Sequence, residues 1–97
     1  MKLMITDIAE FELKEAIAYY NNEYPGLGYE FAYEIQKVFE RITENPEAWT
    51  PLSPRSRRCM ARHFPYAVVY QLRKDEILIV AVMHMHRNPN ILKDRLY

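Results

Sequence analysis

The hydrophobic periodicity of the chain changes once, near its middle, and this change constrains the fold more than any other feature. Up to residue 44, apolar residues recur every three or four positions, as they do on amphipathic helices. From Arg55 onward they alternate, as they do on β-strands. Asn45-Pro46 separates the two halves, because a proline cannot continue a helix. We therefore expect an α+β fold.

The helical half is predicted to begin with a short strand, Met1–Thr6, in which Leu3 and Ile5 share a face. Asp7 is expected to be the N-cap of a first helix of about Ile8–Tyr24, because Glu10 would complete a capping box. The solvent-facing side of this helix is expected to carry most of its polar residues. These residues are Glu10, Glu12, Lys14, Glu15, Asn21, Asn22 and Glu23.

A second helix is predicted over about Leu27–Glu44. The segment Pro25-Gly26-Leu27-Gly28 breaks the first helix and reverses the chain. Four apolar residues of the second helix follow a 4-3-4 spacing that predicts a seam against another helix. They are Phe31, Ile35, Val38 and Ile42. The two helices are expected to form an antiparallel hairpin.

The second half is predicted to contain an ordered loop, 45–54, that holds Trp49, and then three strands. On the first strand, Arg58, Met60 and Arg62 share a face opposite to Cys59, Ala61 and His63. The second strand covers 66–72 and a hairpin turn at Lys74-Asp75 follows it. The third covers 77–83, is apolar on both faces and is predicted to be central.

The predicted order is β-α-α-β-β-β, with an antiparallel helix hairpin packed on one face of a small, mainly antiparallel four-stranded sheet. A chain of 97 residues allows one domain, which we place at 1–97. The helix hairpin is expected to be the only cover of the sheet. The tail from His84 to Tyr97 is polar, and the other sheet face is expected to be a polar platform.

Composition excludes several classes of protein. No run approaches the roughly 18 to 20 apolar residues of a membrane span, and the N-terminal apolar stretch is too short for a secretion signal. A lone Cys59 cannot form an internal disulfide, which favours the reducing cytoplasm. We therefore expect a cytoplasmic protein without a membrane partner.

The zero net charge of the chain hides an asymmetry between its halves. Residues 1–50 hold four bases and ten acids, and residues 51–97 hold nine bases and three acids. The halves therefore carry net charges of −6 and +6. The basic half is expected to attract acidic peptides or phosphates, unless the two halves only attract each other within the domain.

No strong catalytic motif is present in the sequence, and no cofactor and no metal site are predicted. Alternation places His84 and His86 on one strand face, and His63 could join them. Three imidazoles could bind a metal ion or serve as acid and base on an RNA 2′-hydroxyl, but a histidine hydrogen-bonded at a strand end is commoner.

An arginine set precedes the hairpin, and its forked donors suit carboxylates and phosphates alike. Such a set is also common on a solvated strand face that protects an edge from aggregation. The set consists of Arg55, Arg57, Arg58 and Arg62.

The order and spacing of five motifs, over residues 1–97, resemble the ParE branch of the RelE/ParE toxin superfamily. The motifs are Glu10-x-x-Leu13-x-Glu15-Ala16-x-x-Tyr19-Tyr20, Pro25-Gly26-Leu27-Gly28-x-x-Phe31, Ile42-x-x-Asn45-Pro46, Pro65-Tyr66-x-Val68-Val69-Tyr70, and Ile79-Val80-Ala81-Val82-x-His84-x-x-Arg87-x-Pro89-x-x-Leu92-x-x-Arg95. The resemblance implies the toxin, associated with plasmid stabilisation, of a bacterial type II toxin–antitoxin system. It also implies a cognate antitoxin that wraps the toxin, as a toxin–antitoxin hetero-oligomer. The helix hairpin could further pair with a second copy in a homodimer.

The superfamily contains two mechanisms. RelE-like members are ribosome-dependent mRNA nucleases, and ParE-like members are associated with poisoning DNA gyrase. Compared with the nucleases, Met60 and Ala67 replace two basic residues here, and Leu92 replaces an aromatic residue. Because each lost donor to a developing phosphorane costs about 3 to 4 kcal/mol, RelE-type cleavage is disfavoured.

We therefore expect growth inhibition by binding, with DNA gyrase as the favoured target. The residues expected to contact the target or the antitoxin are Arg58, Arg62, Arg87 and Arg95. The alternatives are a degenerate, non-toxic family member and a ribosome-dependent mRNA endonuclease. The candidate catalytic residues of that endonuclease are Arg62, His84, His86 and Arg87.

Overall fold

The change of periodicity near the middle of the chain marks a change from helix to strand. A computed structural model describes residues 1–96, so residue 97, the last of the predicted domain, lies outside the described residues. The elements in chain order are β1 (Lys2–Ile5), α1 (Asp7–Glu23), α2 (Leu27–Glu44), β2 (Thr50–Pro51), β3 (Ser56–Met60), β4 (Tyr66–Arg73), β5 (Glu76–His84), a 3₁₀ helix (Pro89–Leu92) and α3 (Lys93–Leu96).

The strands form one sheet in the order β1-β5-β4-β3-β2, in which β1 is parallel to β5 and the other neighbours are antiparallel. The predicted α+β class, with α1 and α2 packed on one sheet face, is confirmed. The sheet has five strands instead of the predicted four. The turn at Lys74-Asp75 is present, and Asp75 adopts the left-handed region with φ of 59°.

Helix α1 begins one residue earlier than the sequence predicts. Thr6 is the N-cap, and its Oγ1 accepts the N–H of Ala9 at 3.2 Å. Asp7, which was predicted as the cap, is already helical. Glu10 is therefore the fourth helical residue and does not complete a capping box, which requires the third.

The seam on α2 is buried as predicted, but it packs on the sheet as well as on α1. Its four members, Phe31, Ile35, Val38 and Ile42, are each 1% exposed or less. They share one core cluster with Ala9 and Ala16 of α1 and with apolar side chains of β4 and β5. The turn before α2 depends on Gly26, whose φ of 90° favours glycine.

The loop after α2 is ordered, as expected, but it also contains the short strand β2. Thr50 and Pro51 pair with Arg58 and Arg57 at the edge of the sheet, where a proline is tolerated. Trp49 is fixed through its Nε1–H, which donates to the backbone oxygen of Arg41 at 3.3 Å. The hydroxyl of Tyr70 donates to the backbone oxygen of Pro46 at 2.5 Å. Burial raises the pKa of Tyr70 to about 12.

The sheet face away from α1 and α2 is not the polar platform that was expected. Its centre is an apolar cluster of Val69, Val80, Ala81 and Met83, on which Leu92 of the 3₁₀ helix packs. Ile91 and Leu96 border the same cluster. The prediction that the helix hairpin is the only cover is therefore wrong, because the C-terminal tail covers part of this face. The signal for this packing is the helical spacing of Leu92 and Leu96, which lie four positions apart among charged residues.

No helix among residues 1–96 is long and apolar enough to cross a membrane.

Candidate functional site

The four arginines predicted as contacts differ in exposure and position. Arg58 lies on β3 opposite Val69, so its side chain is on the sheet face away from α1 and α2. Arg62 follows the end of β3, and both residues are exposed. The side chain of Arg87, just after β5, is 48% exposed, whereas that of Arg95 in α3 is only 13% exposed. Three of the four can therefore reach a partner directly.

Arg87 and Arg95 meet at a buried carboxylate on α1. The Glu12 side chain is 7% exposed, and its two oxygens accept four hydrogen bonds. Arg95 donates Nη1–H to Oε1 at 2.8 Å and Nη2–H to Oε2 at 3.1 Å. Arg87 donates Nη1–H to Oε2 at 3.1 Å, and the backbone N–H of Val82 donates to Oε1 at 3.1 Å. This Glu12 cluster joins α1, β5 and the C-terminal tail.

The Glu12 cluster also occupies an open strand edge. Strand β1 ends at Ile5, which pairs with Ile79, so β5 continues past it and has no neighbouring strand on that side within the described part of the chain. Glu12 binds the N–H of Val82, and the Nη1–H of Arg95 donates to the backbone oxygen of Val80 at 3.1 Å. Two side chains thus satisfy polar groups that a further strand would otherwise pair. The guanidinium of Arg95 is therefore mainly engaged in hydrogen bonds within the protein.

Glu12 does not lie on the solvent side of α1, where its charge predicted it to be. Glu12 follows Ala9 by three residues and precedes Ala16 by four, so it lies on the buried stripe that both alanines share. The small alanine side chains leave room for a carboxylate and two guanidinium groups. The sequence signal for a buried Glu12 is its position between Ala9 and Ala16, together with the two arginines of the tail that could pair with it.

The face away from α1 and α2 carries a small apolar pocket between the strands and the tail. The register aligns Met60, Ala67 and Met83 across β3, β4 and β5, so the short Ala67 side chain lies between two methionines. Leu92 of the tail also lines the pocket, which encloses about 170 Å³. Arg58 and Arg87 line the same pocket. We name it the methionine pocket.

His84 and His86 lie together, with ring centroids 5.2 Å apart. They do not share a strand face as predicted, because β5 ends at His84 and His86 lies in the turn that follows. Nδ1 of His84 accepts the backbone N–H of His86 at 3.1 Å, so the neutral His84 ring carries its proton on Nε2. His63 instead pairs with Glu34, with 3.6 Å between Nδ1 and Oε2. Within residues 1–96, no three His, Cys, Asp or Glu side chains are grouped so that they could hold a metal ion.

Glu34 on α2 fixes the corner that carries Arg62. Its Oε1 accepts the backbone N–H of Arg62 at 2.6 Å. Burial acts to raise the pKa of Glu34, but the hydrogen bond from Arg62 and the interactions with His63 outweigh it, so the pKa lies below its usual value. The carboxylate therefore stays ionised and holds the start of the corner, while the Arg62 side chain remains exposed.

Comparison with known proteins gives one consistent result. The family model described as "ParE toxin of type II toxin-antitoxin system, parDE" matches residues 3–89. Two relatives, both named Toxin ParE2, from Mycobacterium tuberculosis strains CDC 1551 / Oshkosh and ATCC 25618 / H37Rv, are 31% identical over 93 residues. That alignment spans 95% of this chain and 89% of each relative.

Two solved structures share the fold at 18% sequence identity. One is titled "Chromosomal ParDE TA system from P. aeruginosa" and matches with a TM-score of 0.78 over 89% of this chain and 97% of that chain. The other, the isolated E. coli RelE toxin, matches with a TM-score of 0.67 over 97% of this chain and 94% of that chain. The part of this chain that matches the family model ends at residue 89, before Leu92 and Arg95.

Proposed function

This chain belongs to the ParE toxin family of type II toxin–antitoxin systems, and from that premise we propose that it stops growth by binding a macromolecular target. DNA gyrase is the favoured target, and a cognate antitoxin neutralises the toxin. The proposal places the protein in the cytoplasm and treats residues 1–97 as one toxin domain without enzymatic activity of its own.

The observation that carries the proposal is the character of the methionine pocket. A ribosome-dependent nuclease of this superfamily needs basic residues on this face to stabilise a developing phosphorane. Here Met60 and Ala67 present apolar side chains, and Leu92 is buried on the sheet instead of offering an aromatic ring. The surface is suited to contact with a protein, whereas the donors for phosphate chemistry are reduced to Arg58, Arg87 and His84 at the pocket.

Within this proposal the four arginines divide their roles. Arg58, Arg62 and Arg87 contact the target or the antitoxin, because their side chains are accessible. Arg95 acts through Glu12, since it holds the carboxylate that also binds Arg87. Arg95 is therefore a positioning residue in this account.

We expect Arg87→Ala to abolish growth inhibition without unfolding the chain. Glu12 keeps both hydrogen bonds from Arg95 in this variant, so the free energy of unfolding should fall by only about 1 kcal/mol or less. The measurement is growth after induction in a host without the antitoxin, with urea unfolding of the purified variant alongside. The matched control is Arg55→Ala, which removes an exposed arginine outside the methionine pocket and should leave growth inhibition intact. Retained toxicity of Arg87→Ala would refute the role of this residue.

The alternative function, a ribosome-dependent mRNA endonuclease, is favoured by one observation. His84 and His86 lie side by side, and Arg87 follows them at the end of β5. In that reading these three residues and Arg62 would supply acid–base and phosphate-binding groups. Harmless expression without an antitoxin would instead favour a degenerate family member, and rescue by the neighbouring upstream reading frame would identify the antitoxin.

A further inference from the structure

The methionine pocket has a composition that selects for one class of ligand. Three methionines, Met60, Met83 and Met85, line it together with Ala67 and Leu92. Methionine side chains are flexible and polarizable, and they adapt to aliphatic and aromatic groups of different shape. The enclosed volume of about 170 Å³ is space for one large apolar side chain. The pocket is thus suited to a single apolar anchor residue.

Among residues 1–96, the charged side chains that line the pocket are all basic. They are those of Arg58 and Arg87, and no Asp or Glu of this range lines it. Within residues 1–96, the Arg87 guanidinium uses only Nη1 in a side-chain hydrogen bond, so Nε and Nη2 remain for a ligand. A guanidinium fork pairs best with a carboxylate or a phosphate.

Two ligand classes combine an anchor with negative charge, namely an acidic peptide and a single-stranded RNA. RNA recognition relies on aromatic or guanidinium stacking and on donors and acceptors for base edges. Among the described residues that line the pocket, His84 carries the single aromatic ring, and the pocket floor is otherwise alanine and methionine. The chain as a whole has no net positive charge. An apolar floor with charged margins favours the peptide.

We propose that the methionine pocket binds an acidic peptide segment of the target protein, with one apolar side chain seated over Ala67 and carboxylates of neighbouring residues on Arg58 and Arg87. This inference rests on the proposed function, in which the chain acts by binding a protein. The small footprint suits a contact with the target, since an antitoxin that wraps the toxin would cover much more surface. Leu92 forms the wall on the side of the tail, so the tail helps to shape the site.

The direct test is fluorescence anisotropy with the full chain and a labelled synthetic hexapeptide, in which a central phenylalanine is flanked by aspartate and glutamate. We expect the affinity to fall at least about tenfold when the phenylalanine is changed to alanine or the acids are changed to lysine. Ala67→Leu fills the pocket from its floor and should cause a similar loss. Arg58→Glu reverses an exposed charge without changing the core and should do the same, whereas Arg55→Ala should bind as the wild type does.

Several results would overturn the assignment. Peptide binding that ignores the central phenylalanine, or that survives both Ala67→Leu and Arg58→Glu, would mean that the pocket is not the site. Tighter binding of a labelled RNA hexanucleotide, lost in the same variants, would make nucleic acid the ligand.

Growth after induction separates failure of this inference from failure of the proposed function. A wild-type chain that stops growth but binds no acidic peptide would contradict the pocket assignment alone. A chain that binds the peptide through the pocket but never stops growth would contradict the proposed function and leave the pocket assignment standing.

Discussion

Replacing Glu12 by alanine is expected to lower the free energy of unfolding by about 3 to 5 kcal/mol, since the change removes the carboxylate that joins the buried Glu12 cluster. Arg95, whose side chain is 13% exposed, would lose both hydrogen bonds to that carboxylate. The N–H of Val82 on the open edge of β5 would lose its acceptor. The measurement is urea unfolding followed by circular dichroism.

Three further variants identify the cause of this loss. Glu15→Ala removes an exposed carboxylate from the same helix and should change the free energy of unfolding by no more than about 0.5 kcal/mol. The double variant with Glu12→Gln and Arg95→Met should be more stable than Glu12→Gln alone, because it removes the arginine that the single change leaves unpaired. A loss for Glu12→Ala no larger than that for Glu15→Ala would show that the Glu12 cluster does not hold the tail to the helix.

Gly28→Ala is expected to destabilise the protein by about 3 kcal/mol, the upper end of the range for overpacking. An added Cβ would overlap the backbone oxygen of Ile17 and lie 2.6 Å from Cγ of Asn21. A backbone atom cannot rotate away, so α1 and α2 would have to separate. The N–H of Gly28, which donates to Oδ1 of Asn21 at 2.7 Å, would move with α2.

Helix propensity alone would predict that Gly28→Ala stabilises the protein, since alanine is favoured over glycine in helices by about 1 kcal/mol. Gly26→Ala is the informative comparison, because its added Cβ has no atom within 4 Å and acts only through the left-handed backbone. That change should cost about 1 to 2 kcal/mol. Thermal or urea unfolding in which Gly28→Ala is more stable than Gly26→Ala would contradict the close contact between the helices.

The parts of the fold that follow from local signals could be predicted from the sequence. The seam on α2, the end of that helix at Asn45 and the turn at Lys74-Asp75 each depend on residues close together in the chain. The cap of α1 was misplaced by one residue, because threonine and aspartate are both good caps. The choice between them is made by the pairing of Ile5 with Ile79, which fixes where β1 ends.

The parts that were missed depend on contacts between distant residues. Strand β2 exists because Thr50 and Pro51 meet Arg58 and Arg57, and no local pattern marks two paired residues. Docking of the tail depends on the apolar outer face of the sheet, which was expected to be a polar platform although the strand at 77–83 is apolar on both faces.

In the candidate site, too, features of single residues could be predicted, whereas contacts between distant residues could not. Exposure of Arg58 and Arg62 agrees with their placement on a solvated face. The Glu12–Arg95 pair joins residues 83 positions apart, so neither partner reveals the other in the sequence. The charge asymmetry between the halves was therefore partly an internal attraction, although Arg58 and Arg62 are exposed and about half of the Arg87 side chain remains accessible.

The most direct test of action by binding is to examine one growth-arrested culture, induced without an antitoxin, for cleaved transcripts and for DNA breaks. Transcripts are mapped at ribosomes, and DNA is examined for breaks trapped by gyrase. The account predicts intact transcripts together with gyrase-trapped breaks, both unchanged for Arg55→Ala, and breaks that disappear for Arg87→Ala. Transcripts cleaved at ribosomes, with gyrase and DNA unaffected, would contradict it.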